Sequence, residues 1–305
     1  MPELPEVETV VNELRLKLKN KKIKEVRVLM PKIVAMGPAT LSNLRKSGEK
    51  VSAEFSKTLK GKTITAISRR AKMIIIDLAG KYAILIHLKM TGQLIFFDKK
   101  HLHKQIRLLN LTNYKPVRLP AKSTHVIFEF TDGSRLFYND FRQFGYLKLV
   151  TDKELPLVSE LQGYGPEPLD KKFTYKEFEK VLSKRPNAPL KSWLMDPTII
   201  AGIGNIYSDE ILFFAEVLPT RPVKSLKEPE KKLIFKGIKK VLQDAVSHYG
   251  SSVGDFVRPS GDWGTYGLLH KVYGRAGEKC KRCGTIIKSL KFNGRTGSFC
   301  PKCQK

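Results

Sequence analysis

The sequence has no apolar run that approaches the ~18 residues needed to span a bilayer. Its N-terminus also lacks the basic and apolar regions of a secretory signal peptide. Cysteine is absent until Cys280, so that all four cysteines fall within the last 26 residues. These absences predict a cytoplasmic protein with no membrane partner. In a reducing compartment they also favour a metal site over disulfide bonds.

Acidic residues are scarce relative to basic ones. The chain has 29 Asp and Glu against 56 Lys and Arg, and its formal net charge is +27. Because the surplus is spread along the chain, a polyanion is the expected partner. Nucleic acid is the first candidate, and an acidic membrane surface or a merely solubilising charge are the alternatives. The 305 residues, of which 41% are hydrophobic, suffice for two modest domains with their own cores.

Hydrophobic periodicity changes character along the chain. Residues 5–18 carry apolar side chains at three- and four-residue steps and predict an amphipathic helix. Strand-like runs follow at 23–29, 63–68, 73–78, 82–88, 93–97, 124–130, 134–138 and 145–150. They predict a β-sandwich. Residues 36–62 look polar and partly helical, and the basic segment 98–123 is predicted to be a mobile loop.

The second half of the chain has a helical pattern. Residues 151–170 contain three prolines and are predicted to form a linker. Helices are predicted at 175–182, 190–195, 206–214 and 228–249. For the last helix we predict a capping box formed by Ser225 and Glu228 and a stop at Gly250.

The cysteines form two short pairs, which are Cys280 with Cys283 and Cys300 with Cys303, and sixteen residues separate the pairs. Zinc prefers four tetrahedral thiolates, and two such knuckles provide them without leaving an open coordination position. We therefore predict one structural Zn²⁺, with disulfide bonds as the alternative. A four-cysteine finger by itself does not identify a function.

The first eight residues contain an unusual nucleophile. If Met1 is removed, which the small Pro2 permits, Pro2 becomes a secondary amine that is partly neutral at physiological pH. Its attack on a sugar carbon gives an iminium ion, which is an electron sink suited to elimination. Glu3 and Glu6 lie three residues apart and near enough for proton transfer. Alternatively, the acidic residues only offset a helix dipole, and Pro5 occupies the first helical position.

Three motifs together resemble one known family. Met1-Pro-Glu-Leu-Pro-Glu-Val-Glu-Thr9 resembles the N-terminal signature of the formamidopyrimidine-DNA glycosylases, a bacterial family of base-excision repair enzymes. Lys191 to Asp196, followed by the glycine-rich turn and helix from Gly202 to Glu210, resembles their helix-two-turns-helix motif. Residues 293–300 resemble their zinc-finger hairpin. The resemblance covers nearly the whole chain.

The resemblance implies roles at the reaction centre. Pro2 would attack the anomeric carbon of the sugar, and Glu3 would protonate the ring oxygen and shuttle protons. Glu6 would shape the pocket. Lys72 would meet phosphate or sugar at the lesion, and Arg295 would clasp phosphates near the flipped nucleotide. Judged by residue type alone, Lys72 is one surface lysine among many and Arg295 is a solvated arginine.

The resemblance also implies contacts with DNA. The loop from His87 to Gly92 matches the one whose methionine fills the gap left by an extruded base, here Met90. Arg142 would face the orphaned partner base, and Phe144 would push into the base stack. Without the resemblance, Met90 and Phe144 would be core residues and His87 a satisfied interior histidine.

Lys191 and Asn205 match residues that hold a DNA phosphate in the family, although the glycine turn before Asn205 is alternatively an ordinary turn. Three positions depart from the family pattern. Lys89 stands where a glycine is common, Gln143 where a second basic residue is usual, and Ser123 where a histidine often occurs.

The implied fold is α+β and multidomain. A catalytic β-sandwich domain with flanking helices is expected at 1–150 and a linker at 151–170. A helix-two-turns-helix domain is expected at 171–270 and the zinc finger at 271–305. The implied protein is a monomer that binds damaged double-stranded DNA in the bacterial cytoplasm and associates with the nucleoid through that DNA.

The implied function is that of a bifunctional DNA glycosylase and AP lyase, a hydrolase and lyase of base-excision repair. It would excise 8-oxoguanine and formamidopyrimidines through a Schiff base at Pro2, followed by β,δ-elimination. Leu4 and residues 251–266, which resemble a lid over an oxidised purine, favour this lesion class. The alternatives are an endonuclease VIII-like glycosylase for oxidised pyrimidines and a non-catalytic DNA-binding protein.

Overall fold

The computed structural model describes residues 1–38, 48–102, 106–107, 116–292 and 294–305. These residues form two compact units. The first contains residues 1–2, 6–162 and 251–264, and the second contains residues 3–5, 163–250 and 265–305. Within the described ranges, no helix is both long enough and apolar enough to cross a membrane.

The first unit is built on two antiparallel-rich sheets and two helices. Helix α1 spans Leu4–Leu18 and helix α2 spans Glu49–Leu59. The strands are β1 Ile23–Val28, β2 Val34–Met36, β3 Ile64–Arg70, β4 Met73–Leu78, β5 Tyr82–His87, β6 Gly92–Phe97, β7 Ile106–Arg107, β8 Pro116–Val117, β9 Thr124–Phe130, β10 Arg135–Asp140 and β11 Tyr146–Thr151. One sheet has the order β1-β9-β10-β6 and the other has the order β2-β11-β5-β4-β3.

The core of the first unit lies between these sheets and helices. Every apolar residue that the periodicity of α1 selects is buried, and these residues are Val7, Val10, Val11, Leu14 and Leu18. They join one hydrophobic cluster with side chains from both sheets, such as Val126 and Ile84. Burial of that stripe, at roughly 25 cal/mol per Å² of apolar surface, stabilises the sandwich that the sequence predicts.

Two predicted irregular segments contain more structure than expected. Helix α2 accounts for the helical part of segment 36–62, and residues 39–47 of that prediction lie outside the described residues. In segment 98–123, Ile106 pairs with Val117 in a two-residue ribbon. Residues 103–105 and 108–115 of the predicted loop also lie outside the described residues.

The second unit is helical and ends in a hairpin. Its helices are α3 Tyr175–Leu182, α4 Leu190–Leu194, α5 Asn205–Phe214 and α6 Glu228–Ser247, and its strands are β12 Lys288–Phe292 and β13 Arg295–Phe299. The four helices bury a common core around Trp193 and Tyr207. The predicted helices are confirmed, with ends that differ by at most two residues.

The start of α6 differs from its predicted cap. Ser225 lies in a 3₁₀ turn, Val223–Ser225, and does not cap the helix. The carboxylate of Glu230 instead accepts a hydrogen bond of 2.7 Å from the backbone N–H of Lys227. The predicted box was therefore wrong by two residues. The predicted stop is confirmed, because Gly250 has a φ of 78° and donates its N–H to the carbonyl of Ala245 at 2.7 Å.

Candidate functional site

The first two residues of the chain belong to the first unit and differ in burial. Pro2 is buried, whereas Met1 is 44% exposed. Burial raises the pKa of Asp255, the charged N-terminus and Arg142 lower it, and Asp140 raises it further. A carboxylate from residues 251–264 therefore lies within electrostatic range of the terminal amine. No sequence signal singles out Asp255 within the predicted lid.

Glu3 is held by the amino end of α5. Its carboxylate accepts backbone N–H hydrogen bonds from Gly204 at 2.8 Å, Ile206 at 2.9 Å and Tyr207 at 3.4 Å. A Cβ at Gly204 would lie 2.4 Å from the Glu3 carboxyl carbon, so the approach requires glycine. The anion at this helix terminus is therefore a carboxylate of the protein itself, where the glycine motif predicted a phosphate.

Glu6 is also buried, and its role is within the first unit. Its Oε1 accepts the backbone N–H of Ser251 at 2.7 Å. The next acidic residue on the same face of α1, Glu13, pairs with Arg258 at 2.5 Å. Two carboxylates of α1 thus bind the predicted lid segment, Glu6 at its first residue and Glu13 near its middle.

Lys72 and His87 lie close together in the first unit. The His87 pKa falls to about 3 because of burial, Lys89 and Lys72. The His87 Nδ1 accepts the backbone N–H of Lys89 at 2.9 Å, and the ring stacks on Tyr146 at 5.9 Å. His87 is therefore a neutral, satisfied histidine that shapes the loop leading to Met90.

Acidification is expected to destabilise the first unit through His87. Its folded pKa lies below the unfolded value of 6.5, so its contribution to stability is complete above pH 6.5 and is lost as the pH falls toward 3. Between pH 7 and pH 5 this loss is at most about 2 kcal/mol. His87→Gln should flatten the pH dependence of the urea unfolding free energy, whereas His101→Gln, at an exposed site, should not. Equal slopes for both variants would contradict this assignment.

Met90, Arg142 and Phe144 form one exposed cluster. Met90 is 40% exposed and Phe144 is 44% exposed. The Arg142 guanidinium lies 3.1 Å from the Met90 sulfur and 4.8 Å from the centroid of the Phe144 ring. The interpretation of Met90 and Phe144 as core residues is therefore wrong. The cluster thus presents a flexible apolar side chain, a planar hydrogen-bond donor and a flat aromatic ring next to one another.

Two buried residues that the sequence did not single out support this cluster. Thr91 donates its hydroxyl to the Asp140 carboxylate, which also accepts the backbone N–H of Gly145 at 2.7 Å. The Thr91 hydroxyl in turn accepts the backbone N–H of Arg142 at 2.9 Å. The Met90 loop and the turn that carries Phe144 are thereby joined. In the sequence, Thr91 and Asp140 are distinguished only by their positions close to the exposed residues Met90 and Arg142.

Lys191 is placed differently from the expectation. Its side chain is 0% exposed, and its Nζ lies 2.5 Å from Asp209 Oδ1 and 3.2 Å from the Ser208 hydroxyl. Burial lowers the Lys191 pKa and raises the Asp209 pKa to about 6, although the ion pair opposes both shifts. An ammonium group this deeply buried does not support the expected phosphate contact. Lys191 instead holds helix α5 through its contacts with Ser208 and Asp209.

Helix α5 also holds the terminal hairpin of the second unit. Asp209 Oδ2 accepts the backbone N–H of Ser298 at 2.8 Å, and Asn205 donates its amide to the Thr296 carbonyl at 3.0 Å. Arg295 is exposed and pairs with Phe292 where the hairpin closes. Asn293 of the predicted motif lies outside the described residues. The Asn205 side chain therefore contacts Thr296, which directly follows the predicted phosphate-binding residue Arg295 in the hairpin.

The four cysteine sulfurs converge within 4.8 Å of one another. Cys280 and Cys303 lie 3.9 Å apart, and Cys283 and Cys300 lie 3.5 Å apart. Tetrahedral Zn–S bonds of about 2.3 Å place sulfurs about 3.8 Å apart, so the donor set fits one Zn²⁺. The cysteines are not disulfide-bonded. The predicted structural zinc site is confirmed as a site that can bind one zinc ion.

Removal of zinc is expected to unfold the hairpin and weaken DNA binding, because little apolar surface besides the thiolate cluster stabilises it. Cys303→Ala should bind no zinc by native mass spectrometry and should lose at least about tenfold in DNA affinity. Ser289→Ala, an exposed change on the same hairpin, is the matched control. Full affinity without zinc would contradict this prediction.

Three family models match successive parts of the chain. The formamidopyrimidine-DNA glycosylase N-terminal domain matches residues 1–147, and the formamidopyrimidine-DNA glycosylase H2TH domain matches residues 164–257. The zinc finger found in FPG and IleRS matches residues 277–305.

Relatives are similar over the full length. The formamidopyrimidine-DNA glycosylase of Pelotomaculum thermopropionicum is 37% identical over 305 residues, which are 100% of this chain and 99% of that protein. Lactococcus lactis Fpg in complex with abasic-site DNA superposes with a TM-score of 0.79 at 31% identity, and each chain is fully covered. A complex of the same L. lactis protein with DNA containing an oxidised pyrimidine has a TM-score of 0.79 at 32% identity, again with full coverage.

Proposed function

Since the chain belongs to the formamidopyrimidine-DNA glycosylase family and is a DNA glycosylase of DNA repair, we propose that it excises oxidised purines from double-stranded DNA. The proposed lesions are 8-oxoguanine and the formamidopyrimidines. We propose further that it cuts the strand after base removal, as an AP lyase. It is proposed to act as a monomer in the bacterial cytoplasm, with residues 1–150 as the catalytic domain, 151–170 as a linker, 171–270 as the helix-two-turns-helix domain and 271–305 as the finger.

The proposed chemistry begins at Pro2 after Met1 is removed. The free amine attacks C1′ of the damaged nucleotide, the base departs, and the sugar ring opens to an iminium ion. A secondary amine leaves this ion with no N–H to lose, so the positive charge remains as the electron sink. Loss of a C2′ proton then expels the 3′ phosphate, and a second elimination expels the 5′ phosphate.

The observation that carries this proposal is the environment of Glu3. Three backbone N–H groups hold its carboxylate directly after Pro2 in the chain. The hydrogen bonds restrict the side chain to one orientation, which suits a group that must deliver a proton to the ring oxygen and later take one from C2′. Lys72 and Arg295 are proposed to bind phosphate or sugar beside the lesion, and Glu6 to shape the pocket.

The exposed cluster supports a base-flipping step. Met90, Arg142 and Phe144 are proposed to fill the space that the extruded nucleotide vacates, with Arg142 on the orphaned base. Asn205, the first residue of helix α5, is proposed to contact a DNA phosphate. His87 is proposed to fix the Met90 loop, and Lys191 to fix helix α5; neither needs to contact DNA directly.

The second candidate is an enzyme for oxidised pyrimidines. It is favoured by the L. lactis protein, whose complex contains an oxidised pyrimidine. The oxidised purine remains the first proposal because Leu4 and the segment 251–266 resemble the purine branch, and the carboxylate of Glu6 accepts the backbone N–H of Ser251 at the start of this segment.

The test is borohydride trapping on two duplexes, one with 8-oxoguanine opposite cytosine and one with thymine glycol. Mass spectrometry then locates any cross-link. A cross-link at Pro2 that forms faster on the purine duplex is the expected result. Faster trapping on thymine glycol would select the pyrimidine branch. Tight DNA binding with no cross-link on either duplex would select a non-catalytic DNA-binding protein.

A further inference from the structure

A cavity of about 400 Å³ lies within the second unit, away from every residue used above for catalysis or DNA contact. It is partly open to solvent and is lined by the end of α5, the second half of α6, Tyr266, Lys271 and the first cysteine knuckle. Its floor is apolar and consists of Phe213, Phe214, Val241 and Tyr266. A volume of this size falls in the usual range of ligand pockets, about 300 to 1,000 Å³.

The rim of the cavity is basic. Lys240, Lys271, Lys281 and Arg282 surround the apolar floor and come from three different segments. Two of them have acidic partners, since Lys240 pairs with Asp244 at 2.9 Å and Arg282 pairs with Glu216 at 2.7 Å. Among the residues that the structure describes, Lys271 and Lys281 have no acidic side chain within ion-pairing distance.

Two acidic residues, Glu210 and Asp244, also line the cavity, and Glu210 has an electrostatic interaction with Lys271, so they reduce the positive charge of the rim without cancelling its four cations. Glu210 is buried, and its carboxylate accepts the backbone N–H groups of Lys271, Val272 and Tyr273 at 2.9 to 3.0 Å. Nearby His270 is neutral at physiological pH and adds no further positive charge, because burial and Lys281 lower its pKa to about 4. The cavity therefore offers positive potential above a hydrophobic floor.

An exposed apolar edge extends the floor. The 3₁₀ turn Tyr266–Leu269 begins with the floor residue Tyr266 and ends two residues before the rim residue Lys271. Its Leu268 is 79% exposed and its Leu269 is 37% exposed. Adjacent exposed leucines beside a cavity are typical of surfaces that bind another protein.

We propose that this cavity binds a short acidic peptide segment of a partner protein, with an aromatic side chain in the apolar floor and carboxylates on Lys271 and Lys281. The cations come from three segments that line the cavity together with the apolar residues, so they can pair with carboxylates that flank one aromatic residue. A nucleic-acid backbone would use the cations and leave the floor empty. A nucleobase would need polar groups for its edge, and the carboxylate oxygens of Glu210 are already engaged.

The test uses the full-length zinc-bound protein and a fluorescein-labelled octapeptide that has one phenylalanine between runs of aspartate. Fluorescence anisotropy should detect saturable binding, and replacing the phenylalanine by alanine should weaken it at least about tenfold. Lys271→Glu with Lys281→Glu should weaken binding by at least about tenfold. Lys232→Glu with Lys236→Glu, on α6 but outside the cavity lining, should change it less than about threefold.

Two further measurements separate the site from DNA binding. The peptide should stay bound when the protein is saturated with an 8-oxoguanine duplex, and the Lys271→Glu, Lys281→Glu protein should cleave that duplex at an unchanged rate. Displacement of the peptide by duplex would assign the surface to nucleic acid and overturn the proposal. Absence of peptide binding up to ~1 mM, or equal weakening by both pairs of substitutions, would also overturn it.

Discussion

Replacement of Pro2 by glycine is expected to lower the rate of strand cutting at an abasic site by at least about 10³-fold. The glycine amine is primary, so its adduct loses its N–H proton and becomes a neutral imine, a weaker electron sink than the iminium of proline. Salt-sensitive DNA binding should remain largely intact, because the phosphate contacts come from other residues. Single-turnover cleavage and filter binding on the same duplex measure the two effects.

The control for this experiment is Pro31→Gly, which changes a proline at the start of the 3₁₀ turn Pro31–Ile33 and leaves the terminal amine intact. Intact-mass measurement must first establish that Met1 is absent from all three proteins, since an acylated Pro2 cannot react. Equal loss of cutting and binding in Pro2→Gly would refute the separation of chemistry from affinity. Normal cutting would refute Pro2 as the nucleophile.

The second large effect is expected for Glu3→Gln. An amide cannot exchange protons with the sugar, and loss of general acid and base catalysis should slow base excision by about 10² to 10⁴-fold. The amide introduced by this substitution would also turn its NH₂ group toward one of the N–H donors of Gly204 and Ile206, which should lower the free energy of unfolding by about 1 to 3 kcal/mol. Single-turnover kinetics on 8-oxoguanine duplexes and urea unfolding measure these effects.

Glu13→Gln is the matched control. Glu13 lies on α1, which begins directly after Glu3; it pairs with Arg258 and also accepts a backbone N–H, but it has no proposed role in proton transfer. It should lose stability without a comparable loss of excision rate. If Glu13→Gln and Glu3→Gln slowed excision equally, the effect of Glu3 would be structural, and its assignment as the proton-transfer group would fail.

Elements with a strong local pattern could be predicted from the sequence. Strand β4 and helix α3 have the predicted ends, because the short apolar run in Met73–Leu78 and the helical repeat in Tyr175–Leu182 depend only on neighbouring residues. Strand β2 was missed because its three residues pair in parallel with β11, which follows more than a hundred positions later. The cap of α6 was misplaced because Ser225 and Glu230 both have side chains that can cap a helix. Only the path of the backbone decides which of the two side chains caps this helix.

The candidate site could be predicted as a set of residue types but not as a geometry. The three donors to Glu3 come from about two hundred residues away in sequence, and no local rule links them. Lys191 carries the same charge whether it meets a phosphate or Asp209, and only burial distinguishes the two. The hydrogen bond from Thr91 to Asp140 also joins residues that are distant in the sequence, so no local rule predicts it.

Two of the departures from the family pattern have a physical reading. Lys89 and Gln143 have φ values of 50° and 57°, in the left-handed region where glycine is least strained. Lys89→Gly is therefore compatible with the same loop conformation.

The attachment of residues 3–5 to the second unit has a consequence for biosynthesis. Glu3 leaves the ribosome near the start of translation, whereas Gly204 and Ile206, whose amides hold its carboxylate, are made about two hundred residues later. A nascent or prematurely terminated chain that ends before α5 thus carries the proposed nucleophile, Pro2, beside a glutamate that these amides do not yet hold. If the proposed mechanism holds, the enzyme becomes competent only when translation is well advanced, and truncated products carry the amine without its proposed proton-transfer partner in place.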